Sequence, residues 1–154
     1  MNIQKAILQA NQILKKNNIK SSILDCEILM SKVINKDRKF VILNSRKDLE
    51  KENFEHFRYL VEQRLHGKPI AYLTGKKNFW NNEFKVNNDV LIPRPDTEII
   101  IEEILNLYSK KNKSHILEIG VGSGCLLLSI MLEKKNFYGV GIDISKKCLD
   151  ISKT

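Results

Sequence analysis

Apolar residues at Ile3, Ala6, Ile7, Ala10, Ile13 and Leu14 recur at the three- and four-residue spacing of a helix face. That pattern predicts an amphipathic helix ending near Asn17-Asn18. Ser22 with Asp25 three residues on resembles a capping box, and Ile23 to Ile34 is apolar over so wide an arc that this second helix is expected at the centre of a small bundle. Asn35-Lys36-Asp37 reads as a turn, Arg38 to Leu43 as a short apolar helix and Asn44 to Lys47 as a loop. Asp48 or its neighbour is expected to start a third long helix, packed through Phe54, Phe57, Leu60, Val61 and Leu65 and closed by Gly67. Pro69 suits the first position of one more helical turn, Ile70-Ala71-Tyr72-Leu73, which Gly75 ends.

After Gly75 the period changes. Phe79-Trp80, the polar pair Asn81-Asn82 and the alternating Phe84 and Val86 predict a β-hairpin, with the asparagines taking the positive φ of its turn. Val90-Leu91-Ile92 reads as a third short strand after the Asn87-Asn88-Asp89 turn. Pro93 and Pro95 bracket Arg94 and force an extended segment, after which Asp96 or Thr97 is placed to cap a helix carrying Ile100, Ile101, Ile104, Leu105 and Tyr108. The domain boundary falls between Gly75 and Pro93, and Lys110 to Lys113 reads as a solvated connector.

The stretch from Ser114 to Gly124 organises the rest. It reads as a buried strand through Ile116, Leu117 and Ile119, a turn with Gly120, Gly122 and Gly124, and a helix through Leu126, Leu127, Ile130 and Met131. Phe137 to Ile142 gives a second strand that ends at Asp143, and Ser145 is placed to cap a last helix containing Leu149. Strand, helix, strand predicts a parallel βαβ unit, which brings Asp143 beside the glycine turn at the carboxyl ends of both strands.

Composition narrows the class. A chain of 154 residues with 42% hydrophobic and 29% charged residues is ordinary for a globular protein. No apolar run approaches the roughly 20 residues of a membrane span, and the first residues carry no signal-peptide core, so a cytoplasmic protein without membrane association is expected. Cys26, Cys125 and Cys148 are far apart and lack CxxC spacing, which suggests neither a disulfide framework nor a metal site; they read as small buried apolar residues. The net charge of +8 is uneven, with 14 Lys/Arg against 8 Asp/Glu in residues 1–75 and 12 against 10 in 76–154. Without a dense basic stripe and interleaved aromatics this fits general solubility better than a nucleic-acid footprint, and an acidic or ribosome-associated partner stays open.

At the crevice, Gly120 to Gly124 is expected to present backbone to a bound nucleoside, and Asp143 to accept hydrogen bonds from its ribose hydroxyls. Such charge-assisted bonds are worth about 1.5 to 3 kcal/mol each. The dinucleotide fingerprint G-x-G-x-x-G would need glycine where Cys125 stands; the spacing here is G-x-G-x-G. Glu118, two residues before the first glycine, suits a cationic ligand end such as a methionyl ammonium better than a pyrophosphate. S-adenosyl-L-methionine fits best. Against these stand blander readings: the turn as a tight connection, Arg94 in a rim salt bridge, and Phe79 and Trp80 as hairpin core.

Three segments carry a resemblance to a known family: Pro69-Ile-Ala-Tyr-Leu-Thr-Gly75 with Phe79-Trp80, Leu91-Ile-Pro-Arg-Pro-Asp-Thr-Glu98, and Leu117-Glu-Ile-Gly-Val-Gly-Ser-Gly124 followed by Asp143. In order and spacing they resemble the PrmC/HemK release-factor glutamine methyltransferases, over essentially the whole chain. The resemblance implies an α+β then α/β organisation. Residues 1–75 would be a helical bundle that docks peptide chain release factors, 76–93 a β-hairpin linker, and 94–154 the start of a class I (Rossmann-like) methyltransferase domain. It implies S-adenosyl-L-methionine held by Gly120, Val121, Gly122, Ser123, Gly124 and Asp143, no metal, and no direct contact with nucleic acid. The implied reaction methylates the side-chain amide nitrogen of the glutamine in a release factor's Gly-Gly-Gln motif. The family's catalytic Asn-Pro-Pro-Tyr is absent from these residues. The chain is therefore expected to stop before its catalytic residues, to be inactive alone, and to be aggregation-prone or partly unfolded beyond residue 113. A nucleic-acid amino methyltransferase, or a non-catalytic module that binds a release factor or the ribosome, are the alternatives.

Overall fold

The computed structural model describes residues 1–110 and 113–154, and these form two compact units, Met1–Thr74 and Gly75–Thr154. Of the connector expected at Lys110 to Lys113, Lys111 and Asn112 lie outside the described residues.

The first unit is helical: α1 (Ile3–Lys16), α2 (Ser22–Ile34), α3 (Arg38–Leu43), α4 (Lys51–Leu65) and α5 (Ile70–Thr74). The Asn2 side chain accepts the Lys5 N–H at 2.9 Å to start α1, and the Asp37 side chain accepts the Phe40 N–H at 2.7 Å to start α3. The apolar stripe of α1 reaches the core as Ile3, Ala6, Ile7, Ala10 and Leu14, beside Cys26, Leu29 and Met30 of α2, Val41 of α3, and Phe57, Leu60 and Val61 of α4. Each large side chain buried this way contributes about 1.5 to 3 kcal/mol. As its wide apolar arc predicts, α2 packs against α1, α3, α4 and α5.

Two local readings are corrected in this unit. Ser22 already lies inside α2, and the cap residue Ser21 makes no side-chain capping bond. Asp25 is therefore no capping-box partner: it is buried, and Arg64 Nε of α4 donates to its Oδ2 at 2.7 Å. Asp48 does not start the third long helix either, since it bridges to Asn2 and α4 begins at Lys51 after Glu50.

The second unit opens with the hairpin β1 (Lys76–Phe79) and β2 (Asn82–Lys85), paired antiparallel from Lys76↔Lys85 to Phe79↔Asn82. This register puts the two-residue turn on Trp80-Asn81, and the positive φ, +53°, falls on Trp80 and not on an asparagine. Tertiary bonds hold the tryptophan there: its N–H donates to Glu98 Oε1 at 2.8 Å and its indole Nε1 to Glu133 Oε1 at 2.6 Å. Phe79 is hairpin core, edge-on to Phe84 at 6.2 Å. Val90-Leu91-Ile92 is not a strand. Asp89 and Val90 close a turn onto Asn87, Val90 is buried, and Leu91 is 72% exposed. Pro95–Thr97 form a single 3-10 turn leading into α6 (Glu98–Leu107), whose cap residue Thr97 contributes no side-chain bond.

Beyond it, β3 (Ser114–Ile119), α7 (Cys125–Glu133) and β4 (Phe137–Ile142) form the expected βαβ unit, followed by α8 (Lys146–Ser152). The strands pair parallel from Ser114↔Phe137 to Ile119↔Ile142. Ile116 and Phe137 enter a core with Phe79, Phe84, Ile101 and Ile130. Gly139 and Gly141 let α7 and Val121 lie directly on β4: a Cβ at Gly139 would stand 2.6 Å from Met131 Sδ, and one at Gly141 2.6 Å from Val121 Cγ2. The expectation that β3 is buried on both faces fails. Leu117 and Ile119 are 60% and 78% exposed, because no described element lies over the side of the sheet opposite the Ile116 face. Ser145 caps α8 as predicted, its side chain accepting the Cys148 N–H.

Candidate cofactor site

Gly120 and Asp143 follow directly on the last parallel pair, Ile119↔Ile142, so the strand register alone brings turn and carboxylate together. The Ile142 carbonyl accepts from both Gly120 N–H (2.7 Å) and Val121 N–H (3.0 Å). Asp143 completes the junction: its Oδ2 accepts Gly122 N–H and its Oδ1 accepts Ser145 N–H, both at 2.9 Å. These backbone donors, Ser145 foremost and then Gly122, hold the Asp143 carboxyl below the usual aspartate range and so keep it ionised. Each of its oxygens retains a further lone-pair direction for a ligand hydroxyl.

The three glycines have different duties. All lie at positive φ, +81° at Gly120, +55° at Gly122 and +78° at Gly124, where a side chain is strained. A Cβ on Gly120 would meet nothing within 4 Å, and one on Gly122 only the Gly120 carbonyl oxygen at 4.0 Å. The turn therefore presents open backbone there. Gly124 instead packs, since its Cβ would lie 3.1 Å from Leu128 Cδ1 and 3.3 Å from Ser152 Cβ. Val121 and Ser123 are buried, which leaves backbone as what they can offer a ligand.

Glu118 stands at the start of α7. Its Oε2 accepts the Leu127 N–H at 3.1 Å, replacing the side-chain cap that Gly124, at the cap position, cannot make. Burial pushes the Glu118 carboxyl up, and the Leu127 bond partly offsets that. The helix start is thus met by an acidic side chain, and the N–H groups of Gly120, Val121, Gly122 and Gly124 already have protein acceptors. A pyrophosphate needs free N–H donors at this end of a helix and no carboxylate. The ionised Asp143 carboxylate beside the open backbone of Gly120 and Gly122 fits the hydroxyl-bearing sugar of a nucleoside.

The segment before Pro93 is tied to this end of the sheet. Lys147 Nζ pairs with Asp89 Oδ1 at 2.9 Å, and Cys148 Sγ donates to the Asp89 carbonyl at 3.2 Å. Nothing in the sequence marks this contact, and Glu118, read from the sequence as suited to a cationic ligand end, has its Oε2 engaged at the first turn of α7, where Gly124 leaves no side-chain acceptor. Arg94 is exposed, and among the described residues it makes no ion pair, so the rim salt bridge is not found. Among the described residues no cluster of His, Cys, Asp and Glu is placed to hold a metal ion, and no helix is long and apolar enough to cross a membrane.

Residues 5–75 match the PrmC N-terminal domain. A release factor glutamine methyltransferase of Buchnera aphidicola subsp. Schizaphis graminum is 40% identical over 129 residues, covering 84% of this chain and 46% of that protein. A second, from Buchnera aphidicola subsp. Acyrthosiphon pisum, is 35% identical over 153 residues, covering 99% of this chain and 54% of that protein. A bifunctional methyltransferase of Rickettsia conorii is 32% identical over 176 residues, covering 99% of this chain and 34% of that protein. The chain spans between a third and about half the length of these curated relatives. With the expected three segments, the helical first unit and the parallel βαβ turn in place, residues 5–75 match the PrmC N-terminal domain and the chain is similar over most of its length to part of proteins named release factor glutamine methyltransferase.

Proposed function

We propose that this chain forms the cofactor-binding portion, and the release-factor-docking portion, of a methyltransferase that uses S-adenosyl-L-methionine to methylate the glutamine side-chain amide of a release factor's Gly-Gly-Gln motif. The observation that carries the cofactor half is the junction at the carboxyl ends of β3 and β4, where Asp143 holds the Gly122 N–H beside the open backbone of Gly120 and Gly122. The acceptor half is supported by the printed names of the Buchnera relatives.

In this reading Asp143, ionised and fixed by two N–H groups, accepts the ribose hydroxyls. Gly120 to Gly124 admit the nucleoside to van der Waals distance of the backbone, with Val121 and Ser123 contributing main chain only. Glu118 anchors the first turn of α7 and places negative charge where a phosphate would otherwise be favoured. The bound cofactor supplies an electrophilic sulfonium methyl. An amide nitrogen is a weak nucleophile because its lone pair is delocalised, so the acceptor must be held in line and its N–H groups bound to carbonyl acceptors. In the family resembled, Asn-Pro-Pro-Tyr does this, and the 154 residues contain no such sequence. These residues therefore bind cofactor and do not by themselves transfer the methyl group.

The test is transfer of labelled methyl from S-adenosyl-L-methionine to a purified release factor, with a Gly-Gly-Ala variant as control. The 154 residues alone are expected to give no incorporation above that control, while still binding the cofactor. Glutamine-dependent incorporation would overturn the division of labour, and labelling of RNA instead would move the acceptor to nucleic acid.

A further inference from the structure

The start of α2 has what the start of α7 lacks. The helix is 13 residues long, its cap residue Ser21 makes no side-chain bond, and the Ile23 and Leu24 N–H groups have no acceptor among the described residues. The acidic residue of its first turn, Asp25, is turned into the core against Arg64. Free N–H groups at a helix start, backed by the positive end of the helix dipole, are donors for an anion. A helix start alone is no binding site, but this one opens into a cleft of about 470 Å³ between the end of α1 and the start of α2, where Asn11, Lys15, Ile19, Lys20, Ser22 and Ile23 stand. No residue lining it is acidic, and neither lysine is in an ion pair among the described residues. Two polar side chains of the cleft are left without partners. Ser22 is 6% exposed, and its hydroxyl makes no hydrogen bond among the described residues. Asn11 Oδ1 is buried and likewise unpaired. Buried polar atoms left unpaired are costly, so the two together point to a ligand that bonds both.

We propose that this cleft binds a hydroxylated phosphate monoester, in its simplest form a sugar phosphate. The phosphate accepts from the Ile23 and Leu24 N–H groups and from the Ser22 hydroxyl, and Lys15 and Lys20 supply the countercharge. Asn11 Oδ1 accepts from a hydroxyl of the sugar, while Ile19 and Ile23 give its carbon skeleton an apolar wall. Several donors beside a pair of lysines suit the multiple acceptor oxygens and near-double charge of a phosphate monoester better than a carboxylate. Bound, the ligand satisfies every polar group that the protein leaves open at this helix start. The site lies wholly within the first unit, so it stands whatever the glycine turn of the second unit binds.

The experiment titrates the full chain with ribose 5-phosphate by calorimetry, in parallel with inorganic phosphate and with ribose, and locates the ligand by amide shifts in NMR spectra. Expected are saturable binding of ribose 5-phosphate that weakens as salt is raised, shifts at Ser22, Ile23 and Leu24, weaker binding of inorganic phosphate and no binding of ribose. The double variant Lys15→Gln, Lys20→Gln, changed only at exposed positions, should keep its fold and bind ribose 5-phosphate at least about tenfold more weakly. Asn11→Ala should bring ribose 5-phosphate down to the affinity of inorganic phosphate. No saturable binding of ribose 5-phosphate, an affinity that the two glutamines leave unchanged, or shifts confined to residues 114–154 overturns the proposal. So does inorganic phosphate that binds the unaltered chain as tightly as ribose 5-phosphate.

Discussion

A methyl group added at Gly122 separates a ligand-binding turn from a merely tight one. In Gly122→Ala the new Cβ meets only the Gly120 oxygen at 4.0 Å, so packing costs nothing. The cost is the left-handed backbone at φ +55°, about 1 to 2 kcal/mol for a residue with a Cβ. For a unit of this size that lowers the melting temperature by about 4 to 8 °C per kcal/mol. The same methyl stands in the space that a nucleoside must enter, so S-adenosyl-L-methionine affinity should fall at least about tenfold, equivalent to about 1.4 kcal/mol. Gly139→Ala is the matched control. Its Cβ would lie 2.6 Å from Met131 Sδ, 2.7 Å from Leu127 Cδ1 and 3.0 Å from Leu127 Cγ, on the covered side of β4 and away from the turn. Overpacking there costs about 1 to 3 kcal/mol, comparable to or larger than the strain at Gly122. Isothermal titration calorimetry at a temperature where all three proteins are folded, with thermal unfolding in parallel, gives both quantities. Expected is loss of affinity in Gly122→Ala alone. Equal affinities in the wild type and Gly122→Ala, or equal losses in the two variants, would refute the assignment of the turn.

In the first unit, Arg64→Met strands the buried Asp25 carboxylate and should cost about 3 kcal/mol in denaturant unfolding, with Asp25→Asn recovering part of that in the double variant. Glu118, whose carboxyl is raised by burial, gives stability that is full below the ordinary glutamate range and lost as pH rises through its raised value. Glu118→Gln, which still accepts from Leu127, should flatten that loss in a pH series of melts. Asp143 runs the opposite way: lowered by its N–H partners, it gives stability present above the ordinary aspartate range and lost as pH falls through its lowered value, and Asp143→Asn should remove that acid-side dependence. Glu133→Ala removes the acceptor of the Trp80 indole, at a cost of about 1 kcal/mol. Since Trp80 is the sole tryptophan, the loss should be read as a shift of its fluorescence; an unchanged spectrum would show that the bond does not persist in solution.

Periodicity carried the helices because their buried faces are continuous in sequence: of the stripe from Ile3 to Leu14, Ile3, Ala6, Ile7, Ala10 and Leu14 pack, while Ile13 at its margin stays exposed. The βαβ unit was legible for a related reason, since a parallel pair joined by one helix fixes which ends meet, and Asp143 had to fall beside Gly120. What escaped depends on residues distant along the chain. Asp25 looks like a cap residue until Arg64, 39 positions later, is folded against it. The asparagines at 81 and 82 carry the usual turn signal, yet Glu98 and Glu133 hold the turn one residue earlier and place the positive φ on a tryptophan. Val90 to Ile92 has strand composition but no partner strand among the described residues; Asp89, clasped by Lys147 and Cys148, ties it to α8. The spacing of the glycine turn raised the expectation of a cofactor site, whereas the occupancy of the Gly120, Val121 and Gly122 N–H groups appears only in the bonds of Ile142 and Asp143.

Titration of the purified chain with S-adenosyl-L-methionine, and in parallel with NAD, tests the central claim most directly. Saturable one-site binding of S-adenosyl-L-methionine, weakened by Asp143→Ala, and no binding of the dinucleotide are expected. No saturable heat with S-adenosyl-L-methionine, or binding of NAD in its place, would contradict the account.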